Sequence, residues 1–126
     1  MNLLLDSHVL LWWPIGSPRL GAEARALIED QENRLFMSAA SWWELGLKRS
    51  LGKLDADLPA IRRTLEQRDV GTILVTLDHG EAAAALPVLH RDPFDHMLVV
   101  QVQVEGMRLL TRDARLKTYG SSVLCT

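Results

Sequence analysis

Asp92-Pro93-Phe94-Asp95-His96-Met97-Leu98-Val99-Val100-Gln101-Val102-Gln103-Val104-Glu105-Gly106 is the stretch on which the fold turns. Its second half, Val100 to Glu105, alternates with period two and is rich in valine, the pattern of a β-strand. Its ends read differently. Asp92 followed by Pro93 is an N-cap with proline at the first helical position, and Gly106 is a suitable stop for a helix of about a dozen residues. The ends predict a helix with Asp95 in its first turn. A strand here would take Asp95 away from the other acids of the chain.

Outward from that helix, short apolar runs alternate with helical stretches. Leu3–Leu5, Leu35–Ser38, Thr72–Thr76, Arg108–Leu110 and Ser122–Leu124 read as strands. His8–Trp13, Ala22–Asp30 and Asp78–Ala85 read as helices, as does Ser41–Leu51, which Gly52 stops in the position of a left-handed C-cap. A further helix starts at Asp57-Leu58-Pro59 and ends near Asp69-Val70-Gly71. The alternation implies right-handed crossovers, hence an α/β fold with a parallel four- to five-stranded sheet flanked by helices on both faces. The 126 residues fit one domain, 1–126.

Composition narrows the classes. With 48% hydrophobic and 24% charged residues the chain is an ordinary globule, without repeats or low-complexity tracts. A formal charge of -2 means that any nucleic acid must be held by a local basic patch. The one cysteine, Cys125, has no Cys or His neighbour at metal-ligand spacing, which fits a reducing cytoplasm. The apolar start, Met1–Trp13, carries Asp6 and lacks a leading basic residue, so it reads as a core strand and not a signal peptide. No apolar run approaches the ~20 residues that span a bilayer, and no membrane is expected.

Asp6, Glu44, Asp95 and Asp113 each stand where an apolar segment meets a helix start. In an open parallel sheet those points share one edge, so the carboxylates can converge on one crevice. Taken singly, each acid has a structural account. Asp6, Asp92 and Asp113 are good N-caps. Ser41-Trp42-Trp43-Glu44 matches a capping box, and Glu44 stands four residues before Lys48. Together they are harder to explain structurally, because two carboxylates ~4 Å apart repel by roughly 4 kcal/mol at an effective dielectric near 20. Such a group needs a cation or bound protons. Hard oxygen ligands without a Cys or His cluster favour Mg2+ or Mn2+ over Zn2+.

Four blocks carry a family resemblance: Leu3-Leu4-Leu5-Asp6-Ser7-His8-Val9-Leu10-Leu11-Trp12-Trp13; Ser38-Ala39-Ala40-Ser41-Trp42-Trp43-Glu44-Leu45 with Lys48 and Leu51-Gly52-Lys53-Leu54; His90-Arg91-Asp92-Pro93-Phe94-Asp95; and Leu110-Thr111-Arg112-Asp113. In order and spacing they resemble the PIN-domain ribonucleases, in particular the VapC toxins of bacterial type II toxin-antitoxin pairs. The resemblance implies Asp6, Glu44, Asp95 and Asp113 as metal-binding, catalytic acids, Asp92 as an accessory acid, and Thr111 and Ser7 as supporting hydroxyls. It also implies an RNA substrate, a cognate antitoxin that blocks or distorts the site, and a homodimer or larger toxin-antitoxin assembly. The chain departs from the family pattern at Val99, Val100 and Val102, where small alanines are common, and at His96, where arginine is.

The expected chemistry is hydrolysis by water with Mg2+ or Mn2+, leaving a 5'-phosphate and a 3'-hydroxyl. Lys48, Arg49, Lys53, Arg91, Arg112, Arg115 and Lys117 are candidate phosphate contacts, with Arg112 and Arg115 foremost because they flank Asp113. His8 and His96 read as structural hydrogen-bonders. In Trp12-Trp13 and Trp42-Trp43, adjacent side chains on a helix diverge by roughly 100°, so one of each pair can reach a surface. A receiver-like phosphoacceptor, with Asp78 as acceptor, fits less well because adjacent acids are missing after the first strand. A haloacid-dehalogenase phosphatase would need a second Asp where His8 stands. A catalytically silent PIN-like binding module is the remaining alternative.

Overall fold

The computed structural model describes residues 1–126. Its five strands are β1 (Asn2–Leu5), β2 (Arg34–Ser38), β3 (Gly71–Ile73), β4 (Arg108–Thr111) and β5 (Val123–Cys125). They form one sheet in the order β3-β2-β1-β4-β5, and every pairing is parallel. β1 is central, so both of its faces are covered, which is why it needs the unbroken run Leu3-Leu4-Leu5, all fully buried. The helices are α1 (Ser7–Trp12), α2 (Ala22–Glu29), α3 (Ala39–Ser50), α4 (Leu58–Gln67), α5 (Leu77–Ala85) and α6 (Pro93–Glu105), with a 3-10 turn at Ala114–Tyr119.

Strand residues alternate between two cores. On one face Leu3, Leu5, Met37 and Leu110 pack with Val9 and Leu10 of α1, Ala24 and Ile28 of α2, and Leu65 of α4. On the other, Leu4, Leu109 and Val123 pack with Leu98, Val99 and Val102 of α6 and with Leu116 and Tyr119 of the 3-10 turn. The larger Val99, Val100 and Val102 are thus accommodated as buried core. α5 lies against α6, and α3 touches both α1 and α6. None of the helices is long and apolar enough to cross a membrane.

The stretch Pro93–Glu105 is helical. Asp92 caps it by accepting from the N–H groups of Phe94 and Asp95, and Gly106 ends it at φ +68°. Its strand-like alternation arises where a middle buried on every side runs into an exposed last turn, Gln103–Glu105. Five successive residues, Leu98 to Val102, are buried between neighbours, so no exposed stripe imposes a 3.6-residue period. α3 likewise ends as expected, in a Schellman arrangement in which Gly52 (φ +72°) donates to Arg49 O and Lys53 donates to Lys48 O.

Two boundaries differ from expectation. β3 is Gly71–Ile73 and not Thr72–Thr76, because it is an edge strand whose only partner, β2, ends at Ser38 opposite Ile73. Thr76 instead caps α5. α3 begins at Ala39 under a Ser38 cap, so Ser41 and Glu44 form no capping box and Glu44 lies in the second turn. That shift matters to the site, since it frees the Glu44 carboxylate from backbone capping.

The chain steps from β1 out to β2 and β3, then returns to β4 on the other side of β1. β1 and β4 therefore flank the topological switch point, where the carboxyl ends of parallel strands open a crevice for ligands.

Candidate functional site

Asp6 is the first residue beyond β1 and the N-cap of α1, where one carboxylate oxygen accepts from Val9 N–H at 2.9 Å. The other accepts from the Thr111 hydroxyl at the end of β4. Thr111 Oγ1 in turn accepts from Asp113 N–H at 3.0 Å, so its own hydrogen is directed at Asp6. The Asp6 carboxyl is buried, and burial raises its pKa despite these hydrogen bonds. Glu44 also adds to that rise through its charge.

Glu44 is buried at 4% exposure, and both of its oxygens are engaged. Ser7 Oγ donates to Oε1, and Lys48 Nζ donates to Oε2 at 2.9 Å. The helix spacing of four residues brings Lys48 alongside, and the Glu44 contact holds its ammonium more firmly protonated than usual. Ser7 is thus to Glu44 what Thr111 is to Asp6, a hydroxyl that fixes one carboxylate oxygen.

Asp95 lies in the first turn of α6. Its carboxyl is pushed up to about 6, first by burial and then by the charges of Asp92, Glu44 and Asp6. Glu44 of α3 and Asp6 at the start of α1 thus lie near enough for their charges to act on Asp95. His90 Nε2 lies 3.1 Å from Asp95 Oδ2. Asp113 is fixed from outside by Arg115, which grips both of its oxygens and, by that hydrogen bonding, lowers the Asp113 pKa.

The structure groups these residues differently from the expected single cluster of four acids. His90, Asp95 and Asp113 each offer one ligand atom within 4.8 Å of the other two, and Asp6 and Glu44 stand outside that triad. Asp92 spends one oxygen on the α6 cap. His90 was not among the residues predicted from sequence as ligands. It lies in a loop without periodicity after Pro87, and although it opens the block His90-Arg91-Asp92-Pro93-Phe94-Asp95, nothing in that block marked it as a ligand.

The basic residues are more committed than expected. Lys48 is paired with Glu44 and Arg115 with Asp113, while Arg112 donates to Thr126 O at 2.8 Å. Arg91 is exposed. His96 Nε2 donates to Ala83 O on α5, and His8 stacks on Trp12, in keeping with structural roles. Of the tryptophans, Trp13 is core, whereas Trp43 is 68% exposed and meets Phe94 edge-on at 4.9 Å.

A family model described as PIN domain matches residues 3–121. Ribonuclease VapC22 of Mycobacterium tuberculosis (strain ATCC 25618 / H37Rv) is 31% identical over 120 residues, 94% of this chain and 92% of that protein. In fold the chain is similar to VapBC2 from Rickettsia felis, solved bound to a DNA fragment from its promoter, with TM-score 0.70 and 13% identity over 100% of this chain and 98% of that one. It is also similar to a toxin-antitoxin complex from Klebsiella pneumoniae, with TM-score 0.65 and 18% identity over 97% and 95% of the two chains.

Proposed function

Because the chain belongs to the PIN-domain family, and within it to the VapC ribonucleases, we propose that it is a divalent-metal-dependent endoribonuclease and the toxin of a VapBC-type pair. Residues 1–126 act as one nuclease domain in the cytoplasm. The observation that supports this reading is Asp95, raised to about 6 first by burial and then by the charges of Asp92, Glu44 and Asp6, in the crevice that the β1/β4 switch point opens. Carboxylates held so close while largely buried suit a hard divalent cation, Mg2+ or Mn2+.

Asp6, Glu44, Asp95 and Asp113 are the metal-holding acids. When bound, the cation supplies Lewis acidity, acidifying water and offsetting charge on the departing oxygen. Thr111 and Ser7 keep the Asp6 and Glu44 carboxylates in place, each by one hydrogen bond. Asp92 is an accessory acid that orients the first turn of α6, and with it Asp95. RNA phosphates meet Arg91 directly, whereas Lys48, Arg112 and Arg115 exchange their internal partners for phosphate oxygens.

An antitoxin and a second copy of the chain are the proposed protein partners. α3 and its C-cap support this by leaving Trp43, Leu47 and the capping Leu51 exposed at 68%, 42% and 62%, four residues apart and so along one side.

The test is cleavage of total cellular RNA by the purified, antitoxin-free protein with Mg2+ or Mn2+, with EDTA, and with Asp6→Asn in parallel. Metal-dependent cuts bearing 5'-phosphates, reduced at least ~100-fold in the variant, are expected. A folded, metal-loaded protein that cuts no RNA would move the reading to a binding module.

A further inference from the structure

We propose that His90 is a metal ligand, and that with Asp95 and Asp113 it makes a mixed nitrogen-oxygen donor set that favours Mn2+ over Mg2+. The inference rests on the reading of the crevice as a metal centre.

Geometry is the first support. His90 Nε2 and one oxygen each of Asp95 and Asp113 lie within 4.8 Å of one another. Ligands at ~2.1 Å from an octahedral ion stand ~3 Å apart when adjacent and ~4.2 Å apart when opposite, so a pair at the 4.8 Å limit would close by about 0.6 Å to stand opposite and by about 1.8 Å to stand adjacent. The His90–Asp95 separation, 3.1 Å, already matches an adjacent pair.

The second support is that His90 is held in place. Its backbone N–H and that of Leu89 both donate to Tyr119 Oη, at 3.2 Å each. Tyr119 is core and closes the 3-10 turn that Asp113 opens. The loop carrying the imidazole is therefore pinned to the same short element that presents Asp113. The ring is 12% exposed and the Asp95 side chain 17%, which leaves the pair open to a small ion while excluding much of the water.

Donor chemistry gives the consequence. Mg2+ holds to carboxylate and water oxygen, whereas Mn2+, the first of the divalent transition ions in the affinity series, shares that taste for oxygen but accepts an imidazole nitrogen beside it more readily than Mg2+ does. An all-oxygen set would leave that preference unaltered. In the metal-free protein His90 Nε2 faces Asp95 Oδ2. A cation held through Nε2 would require the neutral ring to carry its proton on Nδ1.

Mn2+ added to the full chain, read by electron spin resonance with spin-echo detection of nitrogen hyperfine coupling, tests this without recourse to activity. The coupling is expected in the native chain and in His8→Gln, and not in His90→Gln. Mn2+ affinity in His90→Gln should fall at least ~10-fold while Mg2+ affinity changes less than ~3-fold. Mn2+ bound without nitrogen coupling in the native chain, or with coupling that survives in His90→Gln, would overturn the inference, leaving His90 to orient Asp95 by its hydrogen bond. If Mn2+ binding is absent, or is indifferent to Asp95→Asn, both the inference and the metal-centre reading fall. The native-chain spectrum decides the matter even if the variant folds poorly.

Discussion

Thr111 serves two carboxylate-bearing elements with one hydroxyl, accepting from the backbone of Asp113 and donating to Asp6. Thr111→Val keeps the volume but leaves a buried Asp6 oxygen and the Asp113 N–H without that partner. It should destabilise the fold by ~1–3 kcal/mol and lower activity, while Thr111→Ser restores most of both, as urea melts and RNA cleavage would read. Asp95 makes the opposite case, a residue whose charge works against the metal-free fold. Its folded pKa of about 6 lies above the ordinary 3.8, so the folded chain holds the proton more tightly than the unfolded one. Stability then falls as pH rises through that window, and the full cost is present above it. Asp95→Asn should raise the metal-free melting temperature by ~3–6 °C at pH 7.5, with the gain vanishing towards pH 4. An equal gain at both pH values would show that charge is not the cause.

At the scale of elements, α6 does the most to build the site, since it presents Asp95 at one end and stops at Gly106. A Cβ at Gly106 meets no atom within 4 Å, but its φ of +68° is one that side chains avoid. Gly106→Ala should cost ~1 kcal/mol in urea melts through backbone conformation alone. Inside the same helix, Gln101 is fully buried and accepts from Ser38 Oγ at 2.6 Å, tying α6 to the end of β2 from which α3 departs. Gln101 looked in the sequence like the polar half of an alternating strand. Nothing local could say that this glutamine is core and Gln103 is not, because that depends on which side of the helix meets the sheet.

For the molecule as a whole, a cation that binds only the folded chain must stabilise it. At a hundred times its dissociation constant, Mn2+ should add ~2.7 kcal/mol to the unfolding free energy. The rise in melting temperature should be reversed by EDTA and be missing in Asp6→Asn or Asp95→Asn. It should also shrink as pH drops through about 6, because protons and the cation then compete for Asp95. A melting temperature unmoved by Mn2+ would contradict the metal centre independently of any RNA assay.

The parallel α/β order, the caps at Asp6, Asp92 and Asp113, and the stops at Gly52 and Gly106 could all be read from sequence. Caps, prolines and left-handed glycines act within one turn of the chain, so neighbouring residues suffice to recognise them. The positions of Asp6 and Asp113 just beyond β1 and β4 were legible for a related reason, since the ends of parallel strands share an edge whatever the details of packing. Tertiary structure alone decided which oxygens are already engaged, that Lys48 and Arg115 neutralise acids of the crevice, and that His90 stands with Asp95 and Asp113. These are relations through space between residues from different elements. Their distances depend on how α3, α6 and the 3-10 turn seat on the sheet, and a linear pattern carries no record of that seating.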